Sequence, residues 1–330
     1  MKTTLWAVIG TAGAALLAII ILNGGYLTGA VALGDSTAQP LKAGWMVSWY
    51  DPGLLAEALK NTDILQKNNA SAEMVSFSYG PPIVEAALSN RLDATFLGIV
   101  PSAVLLSKSN GWLVVARMIK FQEVIMVRND SGIFTVADLK GKKIGVPFAA
   151  GPHPPVVKAL EEAGLSPGKD VELINMKPAD LPLALETKQV DAVAWSNTVK
   201  IAVEEKGFGR QIASFDDWGV IMVSKKYAQE HPEQVRNFLK AVKEANLFVA
   251  QNKKQAFEWY AKDSSFALQY VESLPLTEPN YSAKSIDEVD LSLPASLLAE
   301  LQDTIDYMQK IGIIDKRFDI ASMVDQSYLE

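Results

Sequence analysis

The sequence predicts an α/β protein of two similar lobes, joined by two crossover segments, with a cleft between them. Three observations lead there. One pattern occurs twice, about a hundred residues apart: Ala87-Leu88-Ser89-Asn90-Arg91-Leu92-Asp93-Ala94 and Leu185-Glu186-Thr187-Lys188-Gln189-Val190-Asp191-Ala192. Each copy reads as a helix end, a helix-stopping residue, a hydrophobic residue, and then Asp-Ala opening a buried strand. Around each copy, strand-like and helix-like runs alternate in the rhythm of a parallel sheet. Finally, Val124-Ile125-Met126-Val127 recurs letter for letter as Val220-Ile221-Met222-Val223. The two runs stand where a chain would leave the first lobe and return to it.

The elements follow in order. Gly44–Ser48 is an apolar strand that ends in a turn cluster, Trp49-Tyr50-Asp51-Pro52-Gly53. Leu54–Leu59 carries an apolar face at helical spacing. Glu73–Ser78 is a second strand, and Gly80-Pro81-Pro82 opens a helix, since proline loses nothing in a first helical turn. Ala94–Leu97 is a third strand running into Gly98-Ile99-Val100-Pro101-Ser102 and another helix. The second lobe repeats the plan. Strands fall at Ile144–Pro147, Val171–Ile174 and Val190–Trp195, and helices at Val156–Ala163 and Pro182–Thr187. Gly164 ends the first of those helices. Long helical patterns close the chain at Pro232–Val249, Gln255–Tyr260 and Leu297–Ile311, placed to cover the first lobe. The division expected is 41–123 with 224–330 for lobe one, and 124–223 for lobe two with the crossover strands.

Composition narrows the chemistry. The 330 residues are 49% hydrophobic and carry a net charge of −7 with no basic stripe, which argues against nucleic acid. There is no cysteine, so disulfides, thiolate catalysis and Cys-based metal sites are excluded. His153 and His231 are the only histidines and stand far apart, so no metal site is expected. Asp93 and Asp191 sit between helix and strand, where they fix a turn through backbone hydrogen bonds rather than catalyse. At the N-terminus, Lys2 precedes an uncharged run from Leu5 to Leu22. Eighteen helical residues rise about 27 Å, close to the hydrocarbon thickness of a bilayer. Either a signal peptide is cleaved after Ala30-Val31-Ala32, or the run stays as a signal anchor with a tether to Pro40. Both readings export the rest of the chain to the periplasm.

Several blocks carry a resemblance. Gly80-Pro81-Pro82 through Asp93-Ala94 and on to Gly98–Pro101 is one. Asp138-Leu139-Lys140-Gly141-Lys142-Lys143-Ile144-Gly145-Val146 is another. Ala159-Leu160 to Ala163-Gly164-Leu165 with Asp170-Val171, the Asp191-Ala192 block through Trp195, and His231-Pro232-Glu233 before a long helix complete the set. In this order and spacing the chain resembles the periplasmic substrate-binding proteins of ABC importers for nitrate, taurine, alkanesulfonates and thiamine precursors. The resemblance implies the type-II periplasmic binding fold. It also implies a monomeric receptor without cofactor, metal or catalysis, whose partners are a small-molecule ligand, an ABC permease and its ATPase. Two other outputs fit the same fold: a tethered sensor that reports to a signalling partner, and a thiamine-pyrimidine-synthase-like enzyme. The enzyme reading lacks its cysteine-rich motif and paired histidines here.

In open parallel sheets ligands sit beyond the carboxyl ends of strands, and helix N-termini there favour anions. The loops so placed hold Ser48, Trp49 and Tyr50; Ser78 and Tyr79; Gly98 and Ile99; His153 in the loop Ala149–His153; and Trp195, Ser196 and Asn197. They are expected to bind ligand with apolar walls and a few directional polar groups. Each has a structural alternative: the aromatics as core, His153 as a turn shaper. Arg117 is a further candidate to reach an anion. Two departures from the family pattern stand out. Ala149-Ala150-Gly151-Pro152 offers no side-chain donor before His153, and Trp195 is followed by Ser196-Asn197 instead of an acidic residue and proline. They keep a planar or partly apolar organic ligand in play.

Overall fold

The computed structural model describes residues 40–330. The run Leu5–Leu22, with its cleavage or anchoring, lies outside the described residues. Among the described residues no helix is long and apolar enough to cross a membrane.

Eight strands form one sheet: β1 (Leu41–Met46), β2 (Ala72–Phe77), β3 (Ala94–Gly98), β4 (Trp112–Arg128), β5 (Lys143–Val146), β6 (Glu172–Asn175), β7 (Ala192–Ser196) and β8 (Gly209–Ser224). Their order is β2-β1-β3-β8-β4-β7-β5-β6. From either edge the plan is the same. A parallel triplet, β2-β1-β3 or β6-β5-β7, meets an antiparallel long strand, β8 or β4. The long strands pair with each other along most of their length. This is the type-II periplasmic binding fold: two α/β lobes whose sheets share β4 and β8.

The repeated letters acquire a meaning in this register. Val220–Val223 pairs residue for residue with Leu97–Ala94 of β3, and Val124–Val127 with Trp195–Ala192 of β7. The two runs are equivalent positions in the two lobes, each the antiparallel neighbour of its lobe's third parallel strand. The stretch between them, where Lys120–Glu123 of β4 faces Trp218–Phe215 of β8, leads from one lobe to the other. Charges interrupt it and register shifts flank it, between Arg117 and Ile119 and between Ile125 and Met126, so neither long strand reads as a continuous apolar run in the sequence.

The punctuation is equally symmetric. Ser89 and Thr187 cap their helices by donating hydroxyls to the carbonyls of Glu85 and Leu183. Asn90 and Lys188 follow in the left-handed region, at φ 55° and 64°. The Asp93 carboxylate accepts the Lys42 N–H at 3.0 Å, and Asp191 accepts the Lys143 N–H at 2.9 Å. Both aspartates accept a backbone hydrogen bond, as expected, but they clamp the start of a neighbouring strand instead of fixing their own turn. Replacing Asp93 by Ala leaves one strand-end N–H to water and should cost about 1 kcal/mol. Urea denaturation measures it, and an unchanged midpoint would discard the clamp.

Three cores hold the halves. The largest lies under β1–β3 and takes in Val235, Phe238, Leu239 and Val242 of the helix Pro232–Gln251, so the C-terminal helices do cover the first lobe. The second lobe has a smaller core on each face of its sheet. One local expectation changes. The cluster Trp49–Gly53 is not a turn, because the helix already begins at Tyr50 and runs to Asn61. Pro52 falls in its first turn, where the missing N–H has no intrahelical partner to lose.

Candidate ligand-binding cleft

The carboxyl ends of β2, β3, β5 and β7 each feed a helix: Gly80–Leu88, Ile99–Lys108, His153–Glu162 and Asn197–Glu205. None of the four N-caps (Tyr79, Gly98, Pro152, Ser196) makes a side-chain capping hydrogen bond. The positive dipole ends therefore face the cleft without a side-chain cap, but free first-turn N–H groups are few. Gly80-Pro81-Pro82 and His153-Pro154-Pro155 open two of the helices with prolines that have no N–H, and the His153 N–H is donated to the Ala150 carbonyl.

Three spaces lie between the lobes. A cavity of about 470 Å³ is walled by Ser48, Ser78 and Tyr79 of the first lobe and by Pro178, Trp195 and Thr198 of the second. A second, of about 440 Å³, lies between the helices His153–Glu162 and Ala295–Lys310, lined by Gly151, Lys158, Asp217 and Glu300 among others. Between them is a nearly filled gap of about 10 Å³, lined by Trp49, Gly98, Phe121, Glu123, Gly151 and Trp195. Trp195 faces both the gap and the larger cavity, and Gly151 faces both the gap and the second cavity. Both outer spaces have the size of small-molecule sites.

The lobes touch across this cleft. Thr198 donates its hydroxyl to the Ser48 carbonyl at 2.9 Å. Tyr307 and Lys310 reach Glu161 Oε2 at 3.1 and 3.2 Å. Tyr270 donates to the Glu205 carbonyl at 3.3 Å. The arrangement is a closed one, with ligand space at the flanks and side chains meeting in the middle.

The expected site residues divide. Ser48, Trp49, Ser78, Tyr79, Gly98 and Trp195 line the spaces. Tyr50 does not. The helix turns it into the first-lobe core, where its hydroxyl donates to the Val271 carbonyl and its ring packs on Phe257 and Tyr260. Ile99 is buried in the same core. His153 folds back on its own loop: its ring stacks on Phe148 at 4.5 Å, and Nδ1 accepts the Ala149 N–H. Burial lowers its pKa, which favours the neutral ring. Ser196 is spent on Thr198, hydroxyl to hydroxyl at 3.1 Å. Asn197 is buried, its Nδ2 without a protein partner, and lines none of the three spaces. Arg117 is held by Glu278 through both carboxylate oxygens at 3.0 Å and is not free for a ligand.

Sequence reasoning missed Phe121, Glu123 and Asp217, which come from the long strands rather than from strand-to-helix loops. Phe121 meets Trp49 edge to face at 4.5 Å and floors the gap. Glu123 is 2% exposed, and its Oε2 has no protein partner. Asp217 Oδ1 accepts the Trp218 N–H, while Oδ2 is unpartnered. Burial and the neighbouring Asp217 charge push Glu123 well above the usual carboxylate range, and burial pushes Asp217 up to about 7. The only cue in the sequence was a pair of acids interrupting apolar runs.

These shifts set a pH dependence. Asp51, buried in the first lobe, is likewise pushed up to about 8. All three groups bind protons more tightly folded than unfolded. Their stabilisation is full below the ordinary carboxylate pKa of about 4 and is lost as pH rises through the folded values. Asp138 and Asp306, held low by hydrogen bonds, act in the opposite sense only below about pH 4. The ligand-free protein should therefore melt higher at about pH 5.5 than at about pH 8, and Asp217→Asn should flatten that slope. Thermal unfolding across the range checks it, and a melting temperature that climbs with pH would contradict the assignment.

Two lobes closing on a cleft of this composition define the class of periplasmic-type solute-binding folds. Within it, the family described as NMT1/THI5 like matches residues 64–256, more than half of the chain, and the chain belongs to that family. It is 27% identical over 285 residues to a Bacillus subtilis (strain 168) protein described as aliphatic sulfonates-binding, covering 81% of this chain and 80% of that one. It is 28% identical over 203 residues to the taurine-binding periplasmic protein of Escherichia coli (strain K12), covering 59% and 62%. The crystal structure of the periplasmic aliphatic sulphonate binding protein SsuA from Escherichia coli superposes with a TM-score of 0.71 at 22% identity, over 88% of this chain and 93% of that one.

Proposed function

We propose that this protein is the extracytoplasmic solute-binding component of an ABC importer and captures a small organic solute between its lobes. The observation that carries this reading is the cleft itself. Residues of both lobes wall one cavity of about 470 Å³, so only the closed form surrounds a ligand. A ligand that contacts both lobes stabilises that form by its differential affinity. Trp49, Tyr79 and Trp195 serve as apolar walls, and Ser48, Ser78 and the backbone at Gly98 as polar contacts. The motion turns on the crossing segments around Lys120–Glu123 and Phe215–Trp218. To one side lies 41–123 with the C-terminal part, and to the other the body of 124–223. The closed receptor docks on a membrane permease driven by its ATPase. The N-terminal segment, as signal peptide or anchor, delivers the rest of the chain to the periplasm. The names of the relatives, sulfonates-binding and taurine-binding, place small polar organic solutes among the candidates.

The chain offers no group for covalent catalysis by thiolate, having no cysteine. Binding without turnover is the role supported by relatives described as aliphatic sulfonates-binding and taurine-binding. Native mass spectrometry of the protein purified without refolding identifies a co-purified solute, and uptake of that solute by a strain lacking the gene tests the role. Undiminished uptake in that strain would overturn it.

A further inference from the structure

We infer that the solute taken by this cleft is an organic cation carrying N–H donors, an ammonium or amidinium group on a flat apolar body, held by Glu123 and Asp217. The inference rests on the solute-receptor reading, names the chemical class of its ligand, and seats the charged end of that ligand at the cavity of about 440 Å³ that Asp217 lines, beside the cavity of about 470 Å³.

Glu123 and Asp217 meet at the closed centre of the cleft. A Cβ on Gly151 would stand 3.2 Å from Asp217 Oδ2 and collide with Glu123 Oε1, so both carboxyl groups are packed against one point of the Gly151 backbone, at the edge of the cavity that Asp217 and Gly151 line. Each has a buried oxygen without a partner. Among the described residues no lysine or arginine pairs with either one. The nearby cations are engaged elsewhere, Arg117 with Glu278 and Lys120 with Asp216. Two buried carboxyl groups with unpartnered oxygens carry a desolvation cost, met by protonation in the ligand-free protein and by a bound N–H donor in the complex.

The surroundings agree in sign. The cavity that shares Gly151 with the centre is lined by Glu162, Asp216, Asp217, Glu300 and Asp303 against Lys158 alone. Such a mouth concentrates cations and repels anions. Gly80, Gly98 and Gly151, at or next to three of the helix starts, share the gap with Glu123, a carboxyl that the protein itself supplies. An anion at the same place would repel whatever charge the acidic pair carries at low dielectric, whereas a cation offsets it. In the cavity that Asp217 lines, Val100, Pro154, Phe215 and Tyr307 offer apolar surface and ring faces for the body of the solute, and a ring beside a bound cation adds to its hold.

The test is calorimetric titration of the full chain, stripped of small molecules, with benzamidine and tryptamine as cations, ethanesulfonate and benzenesulfonate as anions, and taurine as a zwitterion. The expected result is binding of a cationic probe, no binding of the pure anions, and at least a tenfold loss of cation affinity in both Glu123→Gln and Asp217→Asn. The ligand-free variants should fold and melt no lower than the parent, since each loses a buried acid with one unpartnered oxygen while its amide keeps an acceptor, and thermal unfolding verifies that separately. Binding of the sulfonates, unchanged or tighter in Glu123→Gln, would overturn the cation assignment and leave the receptor reading standing. Cation binding that ignores both substitutions would overturn the site. Silence from every probe on folded protein would overturn the inference too, with the receptor reading then judged by the uptake experiment.

Discussion

Replacing Arg117 by Ala should destabilise the protein by about 3–5 kcal/mol, the usual cost of leaving one partner of a buried ion pair alone. Arg117 Nη1 donates to both oxygens of Glu278 at 3.0 Å, and the two residues are 6% and 2% exposed. Glu278 also accepts the N–H groups of Lys120 and Asn280. The pair therefore pins the C-terminal segment onto β4 next to the crossing. Asp51, close by and already raised by burial and by the Glu278 charge, would feel the stranded carboxylate as well. Guanidinium denaturation of Arg117→Ala measures the loss. Adding Glu278→Gln should recover part of it, because the uncompensated charge is then gone while the amide keeps an acceptor. A loss under about 1 kcal/mol, or no recovery in the double variant, would show that the pair behaves as a surface salt bridge.

Gly151→Val should abolish high-affinity binding without unfolding the chain. A Cβ at this position collides with Glu123 Oε1 and meets Asp217 Oδ2 at 3.2 Å, in a gap of about 10 Å³. Glu123 pairs with Ser196 of β7, so the collision is relieved by displacement of the Gly151 loop, and that loop then intrudes on Trp49 and Gly98 of the first lobe across the gap and holds the lobes apart. If closure falls to about one molecule in a hundred, apparent affinity falls about a hundredfold. Small-angle scattering should find the variant extended with and without ligand, whereas the parent compacts when ligand is added. A variant that compacts and binds like the parent would remove Gly151 from the closed centre.

Much of the framework was legible before any coordinates. The Asp-Ala punctuation, with its cap, left-handed residue and strand opening, is local chemistry, and Asp93 and Asp191 carry it out almost identically. Alternation of strand and helix gave the two lobes because period and capping are written in consecutive residues. Ser48, Ser78, Tyr79 and Trp195 line a space between the lobes, as loops at the carboxyl ends of strands do by strand direction alone. Tyr50 and Ile99 were misplaced for one reason. They stand beside true cleft residues in sequence, but each lies one step into a helix, and a helix turns adjacent residues about 100° apart.

What the sequence by itself determined is the class of fold, its internal repeat and the strand-end loops, since each depends on neighbours along the chain. Only the tertiary structure decided that the repeated Val-Ile-Met-Val runs flank the crossing rather than form it, and that Arg117 serves Glu278. It alone brought Glu123 and Asp217 together at one point. That meeting depends on the antiparallel register of β4 and β8, which joins residues almost a hundred positions apart. A buried carboxylate reads in sequence like any exposed acid until the strands that enclose it are in place.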